Sequence, residues 1–193
     1  MSEKRGPMRK LLLVVASLVT VAVLSSCSLL PLGAPGQIFD GDSQVADAEM
    51  EKIADAVNSR DAAALKALFT PSSLEQAPDI DQGVDYFLSL FPNGGLSWER
   101  DAIGAEGGTT AGKQAYMIRA NYKLSVDGKD YWLFFADFTV NHDPENIGLY
   151  AAGITPWTEG DYSGAAEPFV AWISAIHYGE TNAPGYAGIY VPE

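Results

Sequence analysis

Cysteine occurs once in the 193 residues, at Cys27, and histidine twice, at His142 and His177. A single cysteine excludes an intrachain disulfide framework and every cysteine-rich zinc site. The two histidines and the scattered acids form no metal-ligand spacing such as His-x-x-x-His, so no metal site and no cofactor is expected. Positive charge is also scarce, with twelve Lys and Arg against twenty-five Asp and Glu, a formal net charge of −13. A nucleic-acid partner needs a basic stripe, and this chain has none to offer. The apolar run Leu11–Leu24 falls short of the ~20 residues that cross a bilayer comfortably.

What the N-terminus does hold is a pattern. Lys4, Arg5, Arg9 and Lys10 stand before that apolar run, and small residues follow it, as in a secretory signal. The run closes on Leu24-Ser25-Ser26-Cys27. This resembles the lipobox of bacterial lipoproteins: an aliphatic residue, two small residues, then cysteine. The resemblance implies that residues 1–26 are a signal peptide and that lipidated Cys27 becomes the mature N-terminus. Two acyl chains give stable anchoring where one chain is marginal. The expected location is therefore extracytoplasmic, tethered to the cell membrane. Removing the signal leaves eight bases against twenty-four acids, a surface that anionic headgroups repel. The lipid then serves as a tether and not as part of a membrane-binding face.

Residues 27–42, with Pro31, Pro35 and three glycines and no apolar periodicity, read as a spacer. A single domain over 43–193 is expected to follow, with 156–193 as a C-terminal extension. A helix opens at Asp42 or Ser43, with Val45, Ala48, Ile53, Ala56 and Val57 apolar and Glu49 and Lys52 on the polar side. A second starts near Asp61 and carries Leu65, Leu68 and Phe69 until Pro71 stops it. A third follows Pro78, with Val84, Phe87, Leu88 and Phe91 apolar.

The period then changes to that of strands. Leu96–Glu106 reads as a strand, and Gly104–Gly112 as a flexible hairpin loop that lacks the spacing and lysine of a phosphate cradle. Lys113–Val126 and Lys129–His142 are long, aromatic-rich and joined by Asp127-Gly128, a strong hairpin signal. Ile147–Ile154 is a further strand after the Asp143–Asn146 turn. Counting outward from Asp127-Gly128 places Leu124 opposite Tyr131, Tyr122 opposite Leu133 and Ala120 opposite Phe135. Ile118 then faces Asp137, and Tyr116 faces Thr139. All ten share one surface, the expected core face. The other surface carries Arg119, Asn121 and Lys123 with Trp132, Phe134 and Phe138. Left open, those aromatics form a patch suited to a partner or to a homodimer. A helix over Glu167–Tyr178 and a covering segment over Ala183–Val191 complete the chain.

Helices followed by a long antiparallel sheet is an α+β order. The segment Ala48–Phe69, with EKIADAVNSRDAAALKALF and its break at Asn58-Ser59-Arg60-Asp61, resembles the opening of nuclear transport factor two-like (cystatin-like) domains. The chain is also similar, lipobox included, to small Gram-positive lipoproteins whose domain has no assigned function. The resemblance covers roughly residues 44–156. It implies N-terminal helices packed on a curved antiparallel sheet, a cone with an apolar pocket, in domains that divide between isomerases or hydratases and non-catalytic binding modules. Fold alone does not choose among these.

Asp137 stands out because the register sets its carboxyl among Ile118, Phe135 and Tyr116. Burial without a partner raises a carboxyl's pKa and makes it a usable acid or base; hydrogen bonds from Tyr116 or Thr139 would make it structural instead. The pocket residues expected are Tyr116, Ile118, Tyr122, Phe135, Asp137 and Thr139, with Asp137 and Tyr116 as the catalytic pair if the domain is an enzyme. His142 reads as turn chemistry and His177 as a helix-end cation. The leading expectation is a tethered, non-catalytic module for a small apolar ligand or a protein partner. The rivals are an isomerase- or hydratase-type enzyme and a structural envelope protein that dimerises through its sheet.

Overall fold

The computed structural model describes residues 40–157, 167–176 and 186–192, all within a unit spanning 33–193. Four helices come first: α1 (Asp40–Ser59), α2 (Ala62–Lys66), α3 (Pro71–Gln76) and α4 (Ile80–Ser89). Strands β1 (Ser97–Thr110), β2 (Lys113–Val126), β3 (Lys129–Asn141) and β4 (Gly148–Pro156) follow, then helix α5 (Glu167–Ala175) and strand β5 (Gly188–Tyr190). The sheet runs β1-β2-β3-β4-β5; its first four strands form an antiparallel meander and β5 joins β4 in parallel. This is the expected α+β class, N-terminal helices followed by a curved, mostly antiparallel sheet.

Helix α1 begins at Asp40, so the last residues assigned to the spacer belong to the domain. Its buried stripe is Ala46, Met50, Ile53 and Val57, a helical i, i+4, i+7, i+11 series. The expected stripe holds at Ile53, Ala56 and Val57, all buried, but fails in the first turns, where Val45 is 43% exposed and Glu49 is buried. The Asn58–Asp61 break is real and each residue has a task. Asn58 Oδ1 accepts from Leu96 N, Arg60 takes the left-handed conformation, and Asp61 caps α2 by accepting from Ala64 N. Pro71 starts a helix instead of stopping one. It is pre-set for a first turn that the Thr70 side chain caps. In that turn Ser73 Oγ donates to Tyr150 O and accepts from Gly188 N, joining α3 to β4 and β5.

The Asp127-Gly128 turn sets the register as counted, with Leu124 opposite Tyr131, Tyr122 opposite Leu133, Ala120 opposite Phe135 and Ile118 opposite Asp137. Tyr116 departs from it, pairing with Val140, because the register shifts between Tyr116 and Met117 and leaves Thr139 as an extra residue. Similar shifts fall between Arg100 and Ala102 and between Ala136 and Asp137. Bulges bend the strand that carries them, and three of them curve this sheet around the helices. Gly104–Gly112 is not a loop. β1 continues to Thr110 and turns at Ala111-Gly112, both with positive φ. Glycine serves that strand at Gly107, where a Cβ would lie 2.6 Å from Tyr116 Cδ2.

The concave face, with Ile118, Tyr122, Leu133 and Phe135, packs against α1 and α4 in one core. The convex face is not left open. Met117, Phe134, Ala136, Phe138 and Tyr150 form a second core with Phe169, Trp172 and Ile176 from α5 and its end. Trp132, expected on an open patch, is buried as well and stacks on Trp157 at 3.9 Å. Arg119 and Lys123 are spoken for. Arg119 pairs with Glu106 and donates to Ile176 O, and Lys123 pairs with Asp130 beneath the Trp157 ring. The tail also supplies β5 at the sheet edge; residues 177–185, His177 among them, lie outside the described set, as does Cys27.

Gly153 lies where α5 meets the sheet: a Cβ there would stand 2.7 Å from Phe169 Cε2 and 2.8 Å from Trp172 Cζ3. Gly153→Ala is expected to cost about 1–3 kcal/mol through overpacking. Gly104→Ala, with nothing within 4 Å, should stay within about 0.5 kcal/mol of wild type. Chemical denaturation of the two variants checks this, and equal stabilities would mean that α5 does not sit on the convex face.

Candidate functional site

Strand β3 carries Asp137 between Ile118 of β2 and Leu149 of β4, both fully buried. The alternation that turns Phe135 and Leu133 toward the helices turns Asp137 the same way. The residue is only 5% exposed. Neither Tyr116 nor Thr139 satisfies it. The Tyr116 hydroxyl donates to Asp42 Oδ2 at 2.7 Å, and the Thr139 hydroxyl reaches the Tyr116 carbonyl at 3.5 Å. Among the described residues, no hydrogen bond or ion pair engages the Asp137 carboxyl.

What stands over Asp137 is α1. Glu49, one residue before the core position Met50, is buried and accepts from Lys52 Nζ at 2.7 Å, while the Lys52 side chain remains 60% exposed. Burial, and after it the Glu49 carboxylate, raise the Asp137 pKa, Lys52 partly offsets both, and the net value is about 7. The hydrogen bond to Glu49 is also the main reason that the Lys52 pKa is raised. The site is thus a proton-holding carboxyl beside a carboxylate–ammonium pair. At neutral pH it can donate a hydrogen bond to an acceptor or, once ionised, accept one.

The remaining expected residues are present but differently employed. Tyr122 is buried, stacks on Phe135 at 5.6 Å and donates to Asp47 Oδ1 at 2.9 Å. Arg100 binds the same carboxylate through Oδ2 at 2.6 Å. Burial and the carboxylate acceptors raise the pKa of both Tyr122 and Tyr116. Ile118 and Phe135 are core residues in contact with this layer. The Tyr116 hydroxyl is directed to Asp42, and no hydrogen bond joins it to Asp137 among the described residues. Sequence reading misses Glu49 because it turns Val45 and Ala48 inward at the start of α1 and puts Glu49 on the polar side. Ala46, Met50, Ile53 and Val57 were the signal that would have found it. His142 is exposed at the end of the hairpin, as expected of turn chemistry. No group of three metal-ligating side chains occurs among the described residues, and no described helix is long and apolar enough to cross a membrane.

Residues 52–156 match the family described as a domain of unknown function, DUF5104, and the chain belongs to that family. The match contains β1–β4 and Asp137 but ends before α5 and β5. No curated protein and no solved structure matches the chain.

The buried carboxyl makes stability depend on pH. Its folded pKa, about 7, lies above the ordinary 3.8, so folding favours the protonated form. That contribution is complete below about pH 4 and is lost as pH rises through 7, with a steepest slope near 1.4 kcal/mol per pH unit. Asp137→Asn should remove this slope and, above pH 7, stabilise the fold by about 1–3 kcal/mol after the amide's own desolvation. Urea denaturation from pH 4 to pH 9 reads both effects. A wild-type slope that survives in the variant would assign the dependence to another group.

Proposed function

We propose that this DUF5104 protein is a lipid-anchored, non-catalytic binding module of the cell envelope, and that it holds a small, largely apolar ligand at the Asp137 end of its concave face. The observation that carries the reading is Asp137 itself: a residue 5% exposed, its carboxyl engaged by no described hydrogen-bond donor, set between Ile118 and Leu149 in the sheet. Such a group costs stability, and a pKa so perturbed by desolvation and a charged neighbour is characteristic of a functional site. Protonated near neutrality, it suits a ligand that brings a carbonyl acceptor on an apolar body. Binding is favoured over isomerase or hydratase chemistry because Tyr116, the natural partner in proton transfer, is engaged with Asp42. A structural dimer through the sheet is disfavoured because α5 already covers Phe134 and Phe138. The cone of the nuclear transport factor two-like fold remains the architecture that this α+β arrangement resembles.

The anchor is proposed from Leu24-Ser25-Ser26-Cys27, a lipobox-like sequence that makes Cys27 the lipidated mature N-terminus of an extracytoplasmic protein. Cys27→Ser is expected to abolish incorporation of labelled palmitate and to release the chain from the membrane fraction; labelling that persists in this variant would refute lipidation at this residue. For the ligand, a panel of small carbonyl-bearing apolar compounds is titrated into the full chain in non-ionic detergent, with the Asp137 carboxyl resonance as readout. Saturable shifts that vanish in Asp137→Asn are expected. Compounds that bind both forms equally would move the site elsewhere, and a panel without binders would reject this ligand class.

A further inference from the structure

Among the described residues two large apolar side chains stay exposed, Val45 and Ile147, and each stands one step from the Asp137 site. Val45 lies one helical turn before Glu49 on the same flank of α1. Ile147 leads into β4 two residues before Leu149, which pairs with Asp137. We infer that these residues form one recognition surface for an aliphatic carboxamide: its C=O accepts from the Asp137 carboxyl, its N–H donates to Glu49 Oε1, and its alkyl chain covers Val45 and Ile147. The inference rests on Asp137 as the ligand's anchor, as proposed above, and adds what the ligand must carry besides a carbonyl.

Glu49 is what selects an amide. It is buried and accepts from Lys52 through Oε2; among the described residues no donor reaches Oε1. A carboxylate oxygen withdrawn from water in this way lacks a hydrogen bond that a ligand can supply. Asp137 is the opposite member of the pair, because burial beside Glu49 favours the form that keeps its proton. One end of the site therefore offers a proton and the other accepts one. A carboxamide brings the matching acceptor and donor in a single planar group. A ketone or ester turns only lone pairs toward Glu49, a carboxylate meets its charge, and an alkylammonium has no acceptor for the Asp137 proton. The side of α1 is fixed by contacts that do not involve this pair. Asp47 accepts from Tyr122 and from Arg100 of β1 on one flank, and Val45, Glu49 and Lys52 recur at helical spacing on the other. Apolar contact for the ligand's body beside a few polar groups that orient its head is the composition of a small-molecule site.

The test uses the full chain in non-ionic detergent at pH 6, with hexanamide as the probe and 2-heptanone and hexylamine as comparisons. Binding is followed by calorimetry and by the Asp137 carboxyl resonance. Hexanamide is expected to bind saturably and about tenfold more tightly than 2-heptanone, the worth of one hydrogen bond to a charged acceptor. Glu49→Leu should bring hexanamide down to the 2-heptanone level and leave 2-heptanone unchanged. Val45→Ser, at an exposed position, should weaken both compounds roughly threefold through lost apolar contact. Equal affinity for hexanamide and 2-heptanone, with both moving the Asp137 resonance, would keep Asp137 as the anchor and overturn the carboxamide. Hexylamine binding more tightly than hexanamide would overturn it too, as would a preference for hexanamide that survives Glu49→Leu. Binding of neither hexanamide nor 2-heptanone would remove the anchor reading and this inference together.

Discussion

The two-residue turn at Asp127-Gly128 governs the rest of the molecule, because strand side chains alternate and one residue of slip exchanges the faces. With the turn in place, Tyr131, Leu133, Phe135 and Asp137 look toward α1, while Trp132, Phe134, Ala136 and Phe138 look the other way. A hydrophobic pattern alone would tolerate either assignment, since β3 is apolar on both sides. The cost of the chosen register is one carboxyl placed inside. Slipping the strand to expose Asp137 would also expose Leu133 and Phe135, which are fully buried, a loss of several kcal/mol. The fold therefore holds Asp137 where solvation would not put it.

Two cores rest on this sheet, and they differ in origin. The concave core lies mostly within the matched residues, with α1 and α4 supplying Ile53, Val84 and Phe87, and Ala46, Met50 and Ile189 joining from outside them. The convex core depends on Phe169, Trp172 and Ile176, which lie beyond the matched residues. The tail also closes the sheet edge as a parallel strand, which removes an exposed ladder that would otherwise invite pairing with another chain. In this molecule both faces and one edge of the domain's sheet are covered within the same chain.

Much of this architecture was legible in the residues. The hairpin was read correctly because a two-residue Asp-Gly loop leaves little freedom in register, and the concave position of Asp137 followed. The break at Asn58–Asp61 was readable because cap chemistry is local. Most of the differences share a physical cause, namely long-range contacts that outweigh local signals. Pro71 is the exception, because the adjacent Thr70 supplies a local cap that makes it a helix start. Gly107 and Gly108 looked like a loop, but close approach of Tyr116 makes glycine a requirement of the strand. The bulge at Thr139 has no sequence mark, so Tyr116 was given the wrong partner. Glu49 was hidden by the phase of α1, which is set by packing against the sheet and not by helix propensity. Asp42 reads in the sequence only as a helix cap and Asp47 carries no mark, since their roles arise only when Tyr116 and Tyr122 reach them across the fold.

The electrostatic claim at the centre of this account is that burial, reinforced by Glu49, keeps Asp137 protonated near neutral pH. The direct measurement is a carboxyl-carbon NMR titration of Asp137 in the full chain, assigned by its loss in Asp137→Asn. The account predicts a midpoint near 7. A midpoint at or below the ordinary 3.8 would show that Asp137 is solvated or hydrogen-bonded in its ionised form, and it would contradict both the isolated carboxyl and the binding role built on it.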